Sequence, residues 1–76
     1  MDVKKTIKDT LVQLLKVTPE ELQDDAKLNE GIGVDSTEMV EFVIVLEKAF
    51  GKKFPEITKF STINEIEKVI QGKLSA

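Results

Sequence analysis

Asp35, Ser36 and Glu38 stand in an order that equips a serine hydroxyl for phosphate chemistry. Asp35 is a good helix N-cap, and Glu38 three positions later completes a capping box over the free amides of the first turn. Ser36 then becomes the first helical residue, its hydroxyl exposed beside the positive end of the helix dipole, a setting that suits an attached phosphate. The chain has no His and no Cys, so neither Ser-His nor Cys-His activation is available, and the thiolate and imidazole ligands of zinc are missing. A reaction at Ser36 therefore needs a base from outside the chain. A calcium loop beginning at Asp25 fails on residue type: Lys27 and Glu30 occupy a ligand position and the glycine position, and Ser36 stands where the bidentate glutamate belongs.

The helix that Ser36 opens carries two apolar faces. At about 100° per residue, Met39, Phe42, Val43, Leu46, Ala49 and Phe50 gather on one side, enough to bury it. Val40 and Ile44 fall on the other side with Thr37, flanked by Glu41, Glu47 and Lys48. Two readings stand side by side: a surface covered by another protein, or ordinary scattered surface aliphatics. Residues 35–48 hold the whole net charge of -3 and the rest of the chain balances, so this helix either steers a basic partner or is a solvated face. The negative balance counts against nucleic acid.

Seventy-six residues, 41% hydrophobic and 33% charged, predict one ordered domain over residues 1–76 with a small core. The start of the chain lacks a signal-type apolar core and no apolar run is long enough to span a bilayer, so the expectation is a cytoplasmic protein without a membrane span. Asp2 caps a first helix with Val3, Ile7, Leu11, Leu14 and Leu15 on its apolar face and Val12 at the margin, ending near Val17. Thr18-Pro19-Glu20-Glu21 predicts a short helical turn through Leu22. Residues 23–34 read as a long loop anchored by Ala26, Leu28, Ile32 and Val34, in which Gly31 and Gly33 supply backbone angles closed to other residues.

Gly51 suits a left-handed cap after the central helix, with Lys52 and Lys53 near the negative end of its dipole. Phe54 to Phe60 reads as a loop or single turn with Phe54, Ile57 and Phe60 pointing inward. A last helix starts at Ser61 or Thr62, with Thr62 and Glu65 as a capping box and Ile63, Ile66, Val69 and Ile70 as its apolar face, and Gly72 ends it. The fold class is all-α: a small helical bundle of three main helices and one or two short turns.

In this order, Gly33-Val34-Asp35-Ser36 and the helix body Val40-Glu41-Phe42-Val43-Ile44-Val45-Leu46-Glu47 resemble the acyl carrier proteins over nearly the whole chain. The resemblance implies an acyl-carrier-like bundle, a monomer, in which Ser36, beside Asp35, becomes a phosphodiester of 4'-phosphopantetheine. Coenzyme A donates that arm through a separate Mg2+-dependent phosphopantetheinyl transferase, and its thiol carries an acyl group as a thioester. It further implies that Glu38, Glu41 and Glu47 meet basic docking patches on enzymes that load, elongate or transfer the acyl group, and that Thr37, Val40 and Ile44 contact the same partners. The carrier itself is non-catalytic and serves fatty-acid, polyketide or related lipid biosynthesis.

Three residues or segments depart from the family pattern: Thr37 in place of a leucine, Lys48 where many relatives have an acid, and a Phe54 to Ser61 segment shorter than the usual third helix. Together they point to a specialised carrier. The alternatives are a peptidyl or aminoacyl carrier, which shares fold and arm, and an unmodified acidic helical interaction module in which Ser36 only starts a helix.

Overall fold

The computed structural model describes residues 2–75. There are three helices, α1 (Val3–Leu15), α2 (Ser36–Phe50) and α3 (Ile63–Ser75), and the connection from α1 to α2 holds a 3₁₀ turn at Pro19–Glu21 and a single π-helical turn at Leu28–Ile32. Each main helix begins at a side chain that takes up free amides. The Asp2 carboxylate accepts the Lys5 amide at 3.0 Å, and Thr62 and Glu65 exchange bonds of 2.9 and 3.1 Å at the head of α3. Both were expected from local spacing.

α1 packs on α2 and on α3, placing Val3, Ile7 and Leu11 against Phe42 and Leu46 of α2 and Ile63, Ile66 and Ile70 of α3 in one buried cluster. Leu22, Leu28 and Val34 join it from the long connection, and Phe54 and Ile57 from the segment after α2. Among the described residues the only backbone pairing of strand type is an isolated antiparallel bridge between Lys27 and Thr62. That bridge fastens the α1–α2 connection to the α2–α3 connection.

Charges reinforce the same junction. Lys4 contacts Asp24 at 3.0 Å, the Asn64 side-chain oxygen at 2.9 Å and Glu67 at 3.7 Å, while Lys8 reaches Asp24 at 2.7 Å. The Asp24 carbonyl accepts the Asn64 amide at 3.0 Å, so one loop residue links α1 to α3. Hydrogen bonds from Lys8 and Lys4 hold the Asp24 carboxyl below its ordinary value, and the bond to Asp24 holds Lys4 above its own.

Several sequence expectations need correction. α1 stops at Leu15 rather than near Val17, because Lys16 turns to φ 55° and donates its amide to Val12 at 2.9 Å. Only Gly33 of the loop pair has a left-handed backbone, at φ 89°; Gly31 serves by close approach, since a Cβ there would overlap the Ala26 Cβ. Ala49 is exposed, and the neighbouring Phe50 ring closes that end of the core edge-on to Phe54 at 6.3 Å.

Phe60 does not point inward: it is 56% exposed. The carbonyls of Lys59 and Ser61 are drawn to the Asn29 and Leu28 amides, and the ring between them turns to solvent with the Lys59 ammonium 5.4 Å above it. The Phe54–Phe60 segment holds turns and no helix. Gly72 does not end α3, which runs to Ser75. Lys73 holds this last turn in place by donating to the Lys53 carbonyl at 2.6 Å and pairing with Glu56 at 2.8 Å, with its ammonium 5.6 Å over the Phe54 ring.

Two outcomes follow. Phe42→Ala, at a fully buried position, should cost about 3–5 kcal/mol in urea unfolding, a large share of the roughly 4–11 kcal/mol that a chain of this length is expected to hold. Asp24→Asn should unfold more easily than the parent at pH 7. Because the folded carboxyl sits below its ordinary 3.8, the stability it adds is present above that value and lost as pH falls through the folded one. The difference in midpoint between the two proteins should therefore close in acid and stay open at neutral pH.

Candidate functional site

The chain reaches Ser36 through a loop with little freedom. Leu28 is fully buried, its amide donates to the Ser61 carbonyl at 3.1 Å, and its carbonyl accepts both the Gly33 and the Val34 amides at 2.8 Å. Two donors converging on one oxygen force a sharp reversal, which Gly33 makes possible at φ 89°. Val34 then inserts into the core, and Asp35 leaves it with extended backbone angles of φ -88° and ψ 178°.

At Asp35 the expected capping box is present in both directions. Its carboxylate accepts the Glu38 amide at 2.8 Å, and the Glu38 carboxylate accepts the Asp35 amide at 3.0 Å. The Met39 amide is taken by the Asp35 carbonyl at 2.9 Å. By helix geometry this leaves the Ser36 and Thr37 amides outside the intrahelical ladder. Ser36 is the first residue of a 15-residue helix and is exposed, so its hydroxyl stands at the positive end of the dipole with unclaimed N–H donors beside it.

The second face of α2 is open to solvent over its length. Thr37 and Glu41 are exposed, Val40 is 60% exposed and Ile44 44% exposed. Val45, unassigned from periodicity, is also exposed and sits over a shallow groove with Thr10, Gln13, Leu14 and Glu41. The face thus brings Ser36, Thr37, Val40, Glu41 and Ile44 together as one surface.

Its acids are not equivalent. The Glu38 carboxylate is committed to the cap. Glu47 has only 20% of its side chain exposed, accepts the Phe54 amide at 3.0 Å and lies 3.7 Å from the Lys53 ammonium. It closes the turn after α2, a role that sequence spacing gave no reason to expect, since Phe54 lies seven positions away. Beyond Ile44 the surface becomes basic: Ile44 and Glu47 share a shallow depression with Lys48, Gly51, Lys52 and Lys53. Lys52 and Lys53 were legible only as partners of the helix dipole, because the turn that brings them beside Ile44 depends on Gly51 at φ 69°.

Residues 5–70 match the family described as "Phosphopantetheine attachment site". Among curated proteins, the chain is similar to the acyl carrier protein of Wolinella succinogenes, 36% identical over 67 residues that make up 86% of this chain and 88% of that one. It is also 36% identical to the acyl carrier protein of Campylobacter hominis over 96% of this chain and 84% of the relative. A third, from a Sulfurovum species, is 33% identical over 87% and 91%.

Removing the cap should loosen the start of α2 without unfolding the bundle. Asp35→Ala is expected to cost about 1 kcal/mol, read as a lower urea midpoint, and to speed hydrogen exchange of the Glu38 amide. Glu41→Ala, on the exposed face, should leave both unchanged.

Proposed function

The chain belongs to the acyl carrier protein family, whose members carry a covalently attached 4'-phosphopantetheine, and on that premise we propose that Ser36 is the residue that bears the arm here. The observation that carries this assignment is the exposed serine at the first position of a capped helix. A phosphodiester on its oxygen meets the positive end of the dipole and the open Ser36 and Thr37 amides, and the residues present therefore fit the group. The nearest carboxylates, Asp35 and Glu38, are turned onto backbone amides. Their charge is partly spent on the cap.

Attachment needs the Ser36 hydroxyl oxygen to attack the phosphorus of coenzyme A that bears the pantetheine. The P–O bond to the adenosine bisphosphate half breaks, and the proton of the hydroxyl passes to a base. No His or Cys is available in this chain to take it. A separate phosphopantetheinyl transferase with Mg2+ supplies the base and positions coenzyme A. Once in place, the arm contributes a thiol that holds acyl groups as thioesters, while the protein supplies attachment, presentation and recognition.

Each side of α2 has its part in that division. Phe42 and Leu46 anchor the helix in the core, so Ser36 is held on a rigid element rather than a swinging loop. Asp35 fixes where the helix begins. Thr37, Val40, Glu41 and Ile44 form the surface presented to enzymes that load, elongate or transfer the acyl group, with Glu38 and Glu47 adding to the field while they hold their backbone partners. A small apolar stripe with charges around it suits partners that must bind and leave within one catalytic cycle. The protein acts in the cytoplasm as a dedicated carrier for fatty-acid, polyketide or related lipid synthesis.

Incubation with coenzyme A, Mg2+ and a broad-specificity phosphopantetheinyl transferase should add one phosphopantetheine to the intact mass, and Ser36→Ala should abolish the addition. If the folded protein gains nothing from several transferases, or if the Ser36→Ala protein is still modified, the assignment fails. In the first case α2 would be an unmodified docking helix.

A further inference from the structure

The docking face of α2 changes sign along its length, and this resolves what kind of partner fits it. At the Ser36 end lie Asp35, Glu38 and Glu41, with no lysine on the helix until Lys48. At the other end Glu47 is drawn into the turn by the Phe54 amide and Lys53, leaving Lys48 and Lys52 with no ion pair among the described residues. Lys48, Lys52 and Lys53 are all exposed around Ile44, the last apolar residue of the stripe. From Glu38 to Lys48 the helix rises about 15 Å, more than one Debye length at physiological salt, so a partner senses the two ends as separate zones of opposite sign.

We propose that the lysine end of α2 is a specificity contact, fitting a protein partner that sets basic side chains against Asp35, Glu38 and Glu41 and carboxylates against Lys48, Lys52 and Lys53. The proposal rests on the reading that the Val40–Ile44 face is the docking surface. It has a negative side as well. A partner whose docking patch is basic throughout gains at the Ser36 end and is repelled at the other, and such opposed terms act on association rate and on partner choice more than on fold. The dipole of α2 alone accounts for one or two lysines near its C-terminus. Because Glu47 is used to close the turn after α2, Lys48 and Lys52 meet no carboxylate of the described residues on that surface and are left for a partner's.

The test needs neither the arm nor the native partner. A bacterial malonyl-CoA:acyl carrier transacylase with a uniformly basic docking patch serves as probe, and its Kd for the unmodified protein is read by NMR titration at low and high salt. Three proteins are compared: the parent, Lys48→Glu/Lys52→Glu, and Lys16→Glu/Lys68→Glu, which makes the same change of net charge at exposed positions of other elements. Their spectra report whether each is folded.

The expected result is that Lys48→Glu/Lys52→Glu binds on the order of tenfold more tightly at low salt, that high salt erases the gain, and that the control binds like the parent. A probe given two glutamates at the edge of its patch that meets the lysine end should reverse the order and prefer the parent. Equal gains in both double variants would reduce the effect to net charge and overturn the proposal, as would no gain, or a loss, in Lys48→Glu/Lys52→Glu. Shifts confined to residues away from Val40 and Ile44 would instead overturn the docking surface, while Ser36 modification is read independently by mass.

Discussion

Leu28 is the residue on which the geometry of this protein turns. Its side chain is buried without exposure, its amide is bonded to the α2–α3 connection and its carbonyl takes two amides from the residues that lead into α2. A buried backbone group without a partner costs about as much as a lost hydrogen bond, so each of these bonds constrains where the neighbouring chain can go. The reversal at Gly33, the insertion of Val34 and the exit at Asp35 follow from that one carbonyl. The first turn of α2 therefore starts at a place set by the core and not by the length of the preceding loop.

The same helix must satisfy two demands that conflict in a chain this short. Burying Phe42 and Leu46 contributes about 1.5–3 kcal/mol each, and a bundle of three helices has few other positions to draw on. Val40, Ile44 and Val45 are aliphatics that stay in water, where they add nothing to that total. The charges around them keep such a surface dispersed. The periphery adds modest cross-links, through the Lys4, Lys8 and Asp24 cluster and the Lys73 anchor. Both tie helices to connecting segments and so shrink the freedom of the loops rather than enlarge the core.

Features decided by residues three or four apart were legible in the sequence. The capping boxes at Asp35 and Thr62, the Asp2 cap, the apolar stripe of each helix apart from the exposed Ala49, and the exposed Val40 and Ile44 all depend on local spacing, and the structure has them. What escaped depends on contacts between distant segments. Gly72 reads as a stop because glycine suits the left-handed cap that closes a helix, yet α3 continues since Lys73 finds the Lys53 carbonyl twenty positions back. Phe60 reads as core by its type but is turned outward by hydrogen bonds its neighbours make to the long loop. Glu47 reads as one more surface acid, and only the fold of Gly51 and Phe54 shows its carboxylate withdrawn.

That last displacement bears most on function. A carrier visits several enzymes in turn, so its docking energy has to be small enough for release and patterned enough to exclude wrong partners. A helix acidic from end to end attracts any basic patch, and attraction of that kind discriminates poorly. Dividing the helix into an acidic end at Ser36 and a basic end beyond Ile44 leaves the total attraction modest while making it depend on register and orientation. A partner bound the wrong way round places like charges together at both ends. On the proposed assignment of Ser36 and of the lysine end, a matching partner meets the capped serine in one direction only, which is what delivery of a tethered group to a single active-site mouth requires.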